Sequence, residues 1–292
     1  MKGIVNNKKA IMVFTLPALI LYTVIVFVPI VWSLIYSFYE GIPGLGIDFV
    51  GLNNYFKLFK DPNFIKSVVL NLKYVAVVVT GQITIGMLIS FLYAFSLTNY
   101  ATLIRTIIFF PVVLPTVATS QLFAKIFQIT PHLGLLNEFF HKISMENLVV
   151  GWLGDPKLAF WAICIMDIWK AIGLYALLFY GAIINIPKDV LEAAEIDGAR
   201  GYKLITKIVL PLIKPMTITC LVLSLTGTLK VFDSVVALTN GGPGNTTQMT
   251  SMYMYNTTFV NGEFGYGTTM AIFILFECLI AMFVLNRFSK DK

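Results

Sequence analysis

The sequence predicts an all-α polytopic membrane protein with six transmembrane helices. Three observations carry this. Hydrophobic residues fill 58% of the 292 positions and charged residues 12%, against about 45–50% and about 25% in soluble domains. Mean hydropathy is +0.82. The apolar residues gather into six runs, 11–39, 68–97, 104–127, 158–186, 209–239 and 266–285, each long enough to cross a hydrocarbon layer about 30 Å thick as a helix.

The first run follows Lys2, Lys8 and Lys9. It is too long for the apolar region of a signal peptide and lacks a small-residue cleavage site, so it reads as a retained first span. The second carries Thr80, Gly81, Gln82 and Thr84, and its Gly86, Ser90 and Ala94 recur every four residues. Such a stripe lets a neighbouring helix approach closely. Pro111 and Pro115 in the third run predict a kink that frees backbone carbonyls. The fourth holds Asp167 and Lys170, and the fifth holds Lys230. Glu277, at mid-depth of the sixth, reads as structural. With the N-terminus inside, 12 of the 21 Lys and Arg fall in inner segments and six in outer ones. That bias places both termini in the cytoplasm, for a multi-pass protein of the cell (cytoplasmic) membrane. The expected organisation is a cytoplasmic segment 1–10, a first helix and outer loop 11–67, a transmembrane core 68–288 and a cytoplasmic tail 289–292.

Other classes are disfavoured by residue type. The net charge of +6 follows from cationic inner flanks and argues for no nucleic-acid partner. Cys164, Cys220 and Cys278 all lie in apolar runs, as small core residues do, rather than as a disulfide or metal set. His132 and His141 share the second outer loop, and neither HExxH nor GxSxG is present. An intramembrane enzyme therefore lacks its catalytic and metal residues. A secondary transporter of a polar solute is the stronger alternative, although no internal repeat supports one.

Between the fourth and fifth runs, residues 187–211 break the pattern with charge. Pro187 suits a helix start and Asp189 its first turn. Gly198 ends that helix, and a second begins near Tyr202. Two short helices joined at a glycine make a stiff cytoplasmic knob, with Ala194 and Ile196 as expected contact residues. Here Glu192-Ala193-Ala194, three residues, Gly198, nine residues, then Ile208-x-Leu210-Pro211 resembles the EAA loop of ABC importer permeases. Further stretches resemble the sugar-permease branch, of maltose and glycerol-3-phosphate type. They are Phe49-Val-Gly-Leu-Asn-Asn-Tyr55, Asp61-Pro62, Trp152-Leu-Gly-Asp-Pro156, Ile168-Trp169-Lys170, Phe232-Asp233 and Leu238-Thr-Asn-Gly-Gly-Pro243.

The resemblance implies a type I importer permease fold and uptake of a sugar or oligosaccharide. It also implies a second, non-identical permease subunit, two ATP-binding subunits and an extracellular sugar-binding protein. It assigns Glu192, Ala193, Ala194, Asp197 and Gly198 to ATPase coupling. The chain has no Gly-x-x-x-x-Gly-Lys-Ser/Thr sequence, so it binds no cofactor itself and ATP-Mg belongs to the partner subunits.

For the substrate path, charge at membrane depth is the guide, because such residues usually face the bundle interior. Asp167 lies nine residues, or roughly 14 Å, inside the fourth span, near the middle of the bilayer. Lys170 is within its reach, and Lys230 sits at matching depth in the fifth. By the resemblance, substrate contacts fall on Asp167, Lys170, Leu174, Thr228 and Val231. Leu174 and Val231 offer no polar group, so Tyr175 or Lys230 is expected to take over, with Trp169 stacking on a sugar face. Asp233, Ser120 and Gln121 are further candidates. A structural Asp167–Lys170 or Asp233–Lys230 ion pair is the competing reading.

Overall fold

The computed structural model describes residues 8–95 and 101–290, with side chains over 11–95 and 103–287. Lys2, most of the amino-terminal segment, the last residues of the second run and Lys292 lie outside the described residues.

Among the described residues, four helices are long and apolar enough to span a membrane: α1 (Ile11–Tyr36), α3 (Pro62–Phe95), α7 (Leu158–Ile184) and the span Phe264–Arg287 within α13 (Phe264–Lys290). Between α1 and α3 lie strands β1 (Tyr39–Ile42) and β2 (Gly46–Phe49), paired antiparallel, and helix α2 (Asn53–Lys60). This short hairpin sits within an otherwise helical chain. A side chain at Gly41 would meet the Gly46 carbonyl oxygen at 2.2 Å.

The third run is a broken span rather than a kinked one. Helix α4 (Ala101–Val113) and helix α5 (Thr116–Ile126) meet at 101°. Pro111 stays inside α4. Pro115 disfavours helical backbone at Leu114 and starts a new helix in another direction. After the short α6 (Leu135–Lys142) and then α7 comes α8 (Lys188–Ile196). The fifth run departs furthest from expectation: α9 (Tyr202–Leu212) and α10 (Lys214–Leu229) bend by 69°, and a further break at Lys230–Phe232 precedes α11 (Asp233–Leu238). Helix α12 (Thr250–Tyr255) leads towards α13. Counting each bent pair as one span gives six. In both α1 and α9 the helix widens by one residue just before a proline: the Val28 N–H bonds to Thr23 ahead of Pro29, and the Leu210 N–H to Ile205 ahead of Pro211. The proline ring excludes the carbonyl four residues back, and the extra residue absorbs the clash.

Among the described residues, those up to 64 together with 254–275 form one compact unit, and 65–253 with those from 276 onward form another. In the first, the Asn54 amide donates to the carbonyls of Ser37 (3.0 Å) and Tyr39 (2.9 Å), and Leu58 is buried. Lys57 pairs with Glu263 and lies 4.2 Å above the Tyr266 ring, whose hydroxyl donates to Asp61 at 2.7 Å. The Asn-Asn-Tyr and Asp-Pro stretches thus fasten the loop after α1. Along α1 the large apolar side chains face outward from Ile11 to Ile35.

The second unit has two buried clusters. One gathers Val78, Phe123, Ala162, Met166, Val235 and Met249; the other gathers Val79, Phe179, Ile183, Leu204, Val209 and Cys220. All three cysteines are free thiols. Two glycines set the helix spacing. A side chain at Gly86, the first residue of the small-residue stripe of α3, would meet Tyr175 Cβ at 2.8 Å, so α7 seats closely there. A side chain at Gly173 would meet the Ile108 carbonyl oxygen at 2.2 Å, so α4 and α7 touch backbone to backbone there. After α8 the chain reverses at Gly198 (φ +80°) and Gly201 (φ +54°), and the Ala199 N–H bonds to the Ala194 carbonyl at 2.8 Å. This is the glycine-stopped helix the sequence predicts. Ala194 is turned inward among Ile183, Ile186 and Leu204, whereas Ile196 is 87% exposed and Tyr202 80%. The apolar surface of the knob is therefore Ile196 with Tyr202, and Ala194 is withdrawn from it.

Candidate functional site

Within the second unit, α3, α4, α7, α10 and α11 line an open cavity of about 250 Å³. Its organising group is Asp167. The carboxylate is 8% exposed and accepts from the Tyr74 hydroxyl at 2.5 Å and from the Ser234 hydroxyl at 2.7 Å. A carboxylate away from water needs donors, and these two satisfy one oxygen each. Beside it the Gln82 amide donates to the Asp167 backbone carbonyl at 3.1 Å, while its oxygen accepts from the Ser224 hydroxyl at 2.7 Å. The Thr228 hydroxyl donates to the Ser224 carbonyl at 2.8 Å, and Thr228 lines the cavity. Lys170 donates to the hydroxyl of Thr116, the first residue after the break in the third span.

Asp167, Lys170, Leu174, Tyr175, Thr228 and Val231 all line this cavity. The remaining candidates, Trp169, Lys230, Asp233, Ser120 and Gln121, lie off this cavity. Asp167 and Lys170 form no ion pair, because each has a hydroxyl partner instead. Asp233 and Lys230 are exposed and unpaired with each other, since α10 ends at Leu229 and the helical phase assumed for the fifth run is lost there. Ser234, one residue on, takes the inward position. Trp169 packs edge-on against Phe123, with ring centroids 5.3 Å apart, away from the cavity wall. Ser120 is buried and donates to the Thr116 carbonyl at 2.9 Å, and Gln121 is exposed; neither lines the cavity. Tyr74, Gln82, Ser224 and Ser234 were missed. Gln82 was visible as an amide in an apolar run, but a lone tyrosine or serine there carries no signal until a buried carboxylate demands a donor. Glu277 has one carboxylate oxygen buried without a hydrogen-bond partner among the described residues. Among those residues no three His, Cys, Asp or Glu side chains could hold a metal ion.

A chain of broken, apolar helices around a polar cavity has clear relatives. Residues 82–292 match the family described as binding-protein-dependent transport system inner membrane component. The chain belongs to that family. It is similar to a probable ABC transporter permease of Pyrococcus horikoshii, 34% identical over 275 residues that cover 93% of this chain and 92% of the relative. It is also similar to the lactose transport system permease protein LacF of Rhizobium radiobacter, 32% identical over 285 residues, covering 96% and 93%. Among solved structures, a bacterial alginate ABC transporter, in complex with an alginate pentasaccharide-bound periplasmic protein, superposes with a TM-score of 0.82. That match has 22% identity and covers 96% of this chain and 93% of the other. At that identity the likeness concerns the fold, which is the type I importer permease fold. This family member is a multi-pass membrane permease component and not an enzyme.

Proposed function

We propose that this permease is one of two non-identical membrane subunits of an ATP-driven importer that moves a sugar or oligosaccharide into the cell. Two ATP-binding subunits, which hold ATP-Mg, and an extracellular sugar-binding protein complete the complex in a 1:1:2 permease-to-ATPase arrangement within the lipid bilayer. Both termini are cytoplasmic, and residues 68–288 form the transport core. The observation that carries the reading is the cavity. Hydroxyl, amide, carboxylate and ammonium groups converge there beside apolar walls at Leu174 and Val231, a mixture suited to a sugar's hydroxyls and C–H faces. The names of relatives support the substrate class: LacF serves lactose, and the 31% identical MalF of Thermococcus litoralis serves trehalose and maltose. Asp167, Lys170, Thr228, Tyr175, Leu174 and Val231 are the proposed contacts. Native mass spectrometry showing a functional homodimer of this chain would contradict the pairing.

The 187–211 loop is the proposed coupling element. Glu192, Ala193 and Asp197 lie on the exposed side of α8 and its end, and Ile196 and Tyr202 supply the apolar area that a groove on the ATPase would bury. Gly198 aims α8 through a left-handed backbone, which a β-branched residue adopts at a cost of about 1–3 kcal/mol. Gly198→Val, Glu192→Lys and Ile196→Asp are each expected to reduce substrate-stimulated ATP hydrolysis in reconstituted complexes to the basal rate. Full stimulation in normally assembled Ile196→Asp complexes would remove the loop from coupling.

A further inference from the structure

Helix α10 stops at Leu229 and α11 begins at Asp233, yet Lys230, Val231 and Phe232 between them include neither proline nor glycine. No helix-breaking backbone therefore ends α10. Left to itself, the Leu229 carbonyl would accept from the Asp233 N–H four residues on, and α10 would run straight into α11. It accepts instead from the Asn71 side-chain amide of α3, at 2.9 Å. Asn71 and Leu229 are both buried, so water does not compete for that carbonyl.

Asn71 belongs to a polar face of α3. Asn71, Tyr74 and Gln82 lie three and eight residues apart, on one side of the helix. Tyr74 holds the Asp167 carboxylate, and Gln82 holds the Asp167 carbonyl and the Ser224 hydroxyl. Asn71 holds the end of α10 and, unlike the other two, does not line the cavity. Its side-chain oxygen is buried without a hydrogen-bond partner among the described residues. An unsatisfied buried acceptor is costly, and a leucine of similar volume would fill the space without one. What leucine cannot provide is the N–H for Leu229.

We propose that Asn71 is a positioning residue of the sugar site, which ends α10 at Leu229 so that the chain turns along the cavity. The inference rests on reading the Asp167 cavity as that site. Two ties bracket the turn, Leu229 to Asn71 and Ser234 to Asp167. Thr228 stands just before the first tie and Val231 between the two, both on the cavity wall. Continued helix through Lys230–Phe232 would carry Val231 and Ser234 around the axis and draw Ser234 away from Asp167. Asn71 thus acts through the placement of Thr228, Val231 and Ser234 and touches no sugar itself.

The test uses complete complexes in proteoliposomes carrying Asn71→Leu, Thr228→Val or both, supplied with lactose, maltose, trehalose and arabino-oligosaccharides. Asn71→Leu is expected to assemble with the thermal midpoint of the parent and to lose uptake roughly fivefold, the scale of one hydrogen bond. Because the two changes act on one contact, the loss in the double variant is expected to fall well short of the product of the single losses. Fully multiplied losses, or failure of Asn71→Leu to assemble, would make Asn71 a packing residue and overturn the proposal. Parental uptake in Asn71→Leu beside impaired uptake in Thr228→Val would also overturn it, while leaving the cavity as the sugar site. Parental uptake in both Thr228→Val and Asp167→Asn would overturn that site and the inference with it.

Discussion

Gly173→Val is expected to abolish uptake, whereas Gly181→Val, two turns along the same helix, leaves it near the native rate. At Gly173 the new Cβ would sit 2.2 Å from the carbonyl oxygen of Ile108 and 2.9 Å from the Phe109 Cα, all of it backbone, so nothing flexible can give way. At Gly181 nothing outside its own stretch of helix backbone lies within 4 Å. Overpacking typically costs about 1–3 kcal/mol even where side chains can shift. Here α4 and α7 must separate, and both cavity walls separate with them. Uptake by reconstituted complexes, with assembly followed by size-exclusion chromatography, checks the pair. Equal activity in both variants would mean that the close helix contact plays no part in transport.

Asp167 gives the second large effect, and the two obvious substitutions should part company. Asparagine keeps an acceptor for Tyr74 and offers a donor to the Ser234 hydroxyl, so the three-helix junction survives. Alanine leaves two buried hydroxyls without partners, at about 1–3 kcal/mol each. Asp167→Asn is therefore expected to assemble normally with intact basal ATP hydrolysis and to lose uptake at least tenfold, and Thr228→Val to behave similarly. Asp167→Ala is expected to impair assembly as well. Wild-type uptake kinetics in Asp167→Asn and Thr228→Val would remove both residues from the substrate site.

What the sequence revealed, and what it hid, follows from the range of each signal. Apolar runs are averages over many residues, and each overlaps a helix or a bent helix pair long and apolar enough to span. Asp167 was legible because a lone acid in an apolar run is costly and needs a reason. The carried-over Lys170, Leu174, Thr228 and Val231 were legible because the surrounding motifs fixed their register. Lys230 and Asp233 misled for a local reason. Depth and facing were counted along one continuous helix, and the helix stops at Leu229. Pro111 and Pro115 look alike in sequence, yet one is absorbed within α4 and the other ends it, because only Pro115 has its preceding residue already at a helix end. Ala194 sits in the right motif, but the facing of a nine-residue helix depends on how it packs beneath.

The most direct measurement is ATP-dependent sugar accumulation in proteoliposomes. They would contain this chain with its co-purifying permease and ATPases, with the external binding protein supplied in the lumen or medium according to orientation. A panel including lactose, maltose, trehalose and arabino-oligosaccharides serves as substrate. The expected result is accumulation of at least one member that requires both ATP hydrolysis and the binding protein and is lost in Asp167→Asn. Accumulation driven by an ion gradient in liposomes holding this chain alone, with no ATPase present, would contradict it.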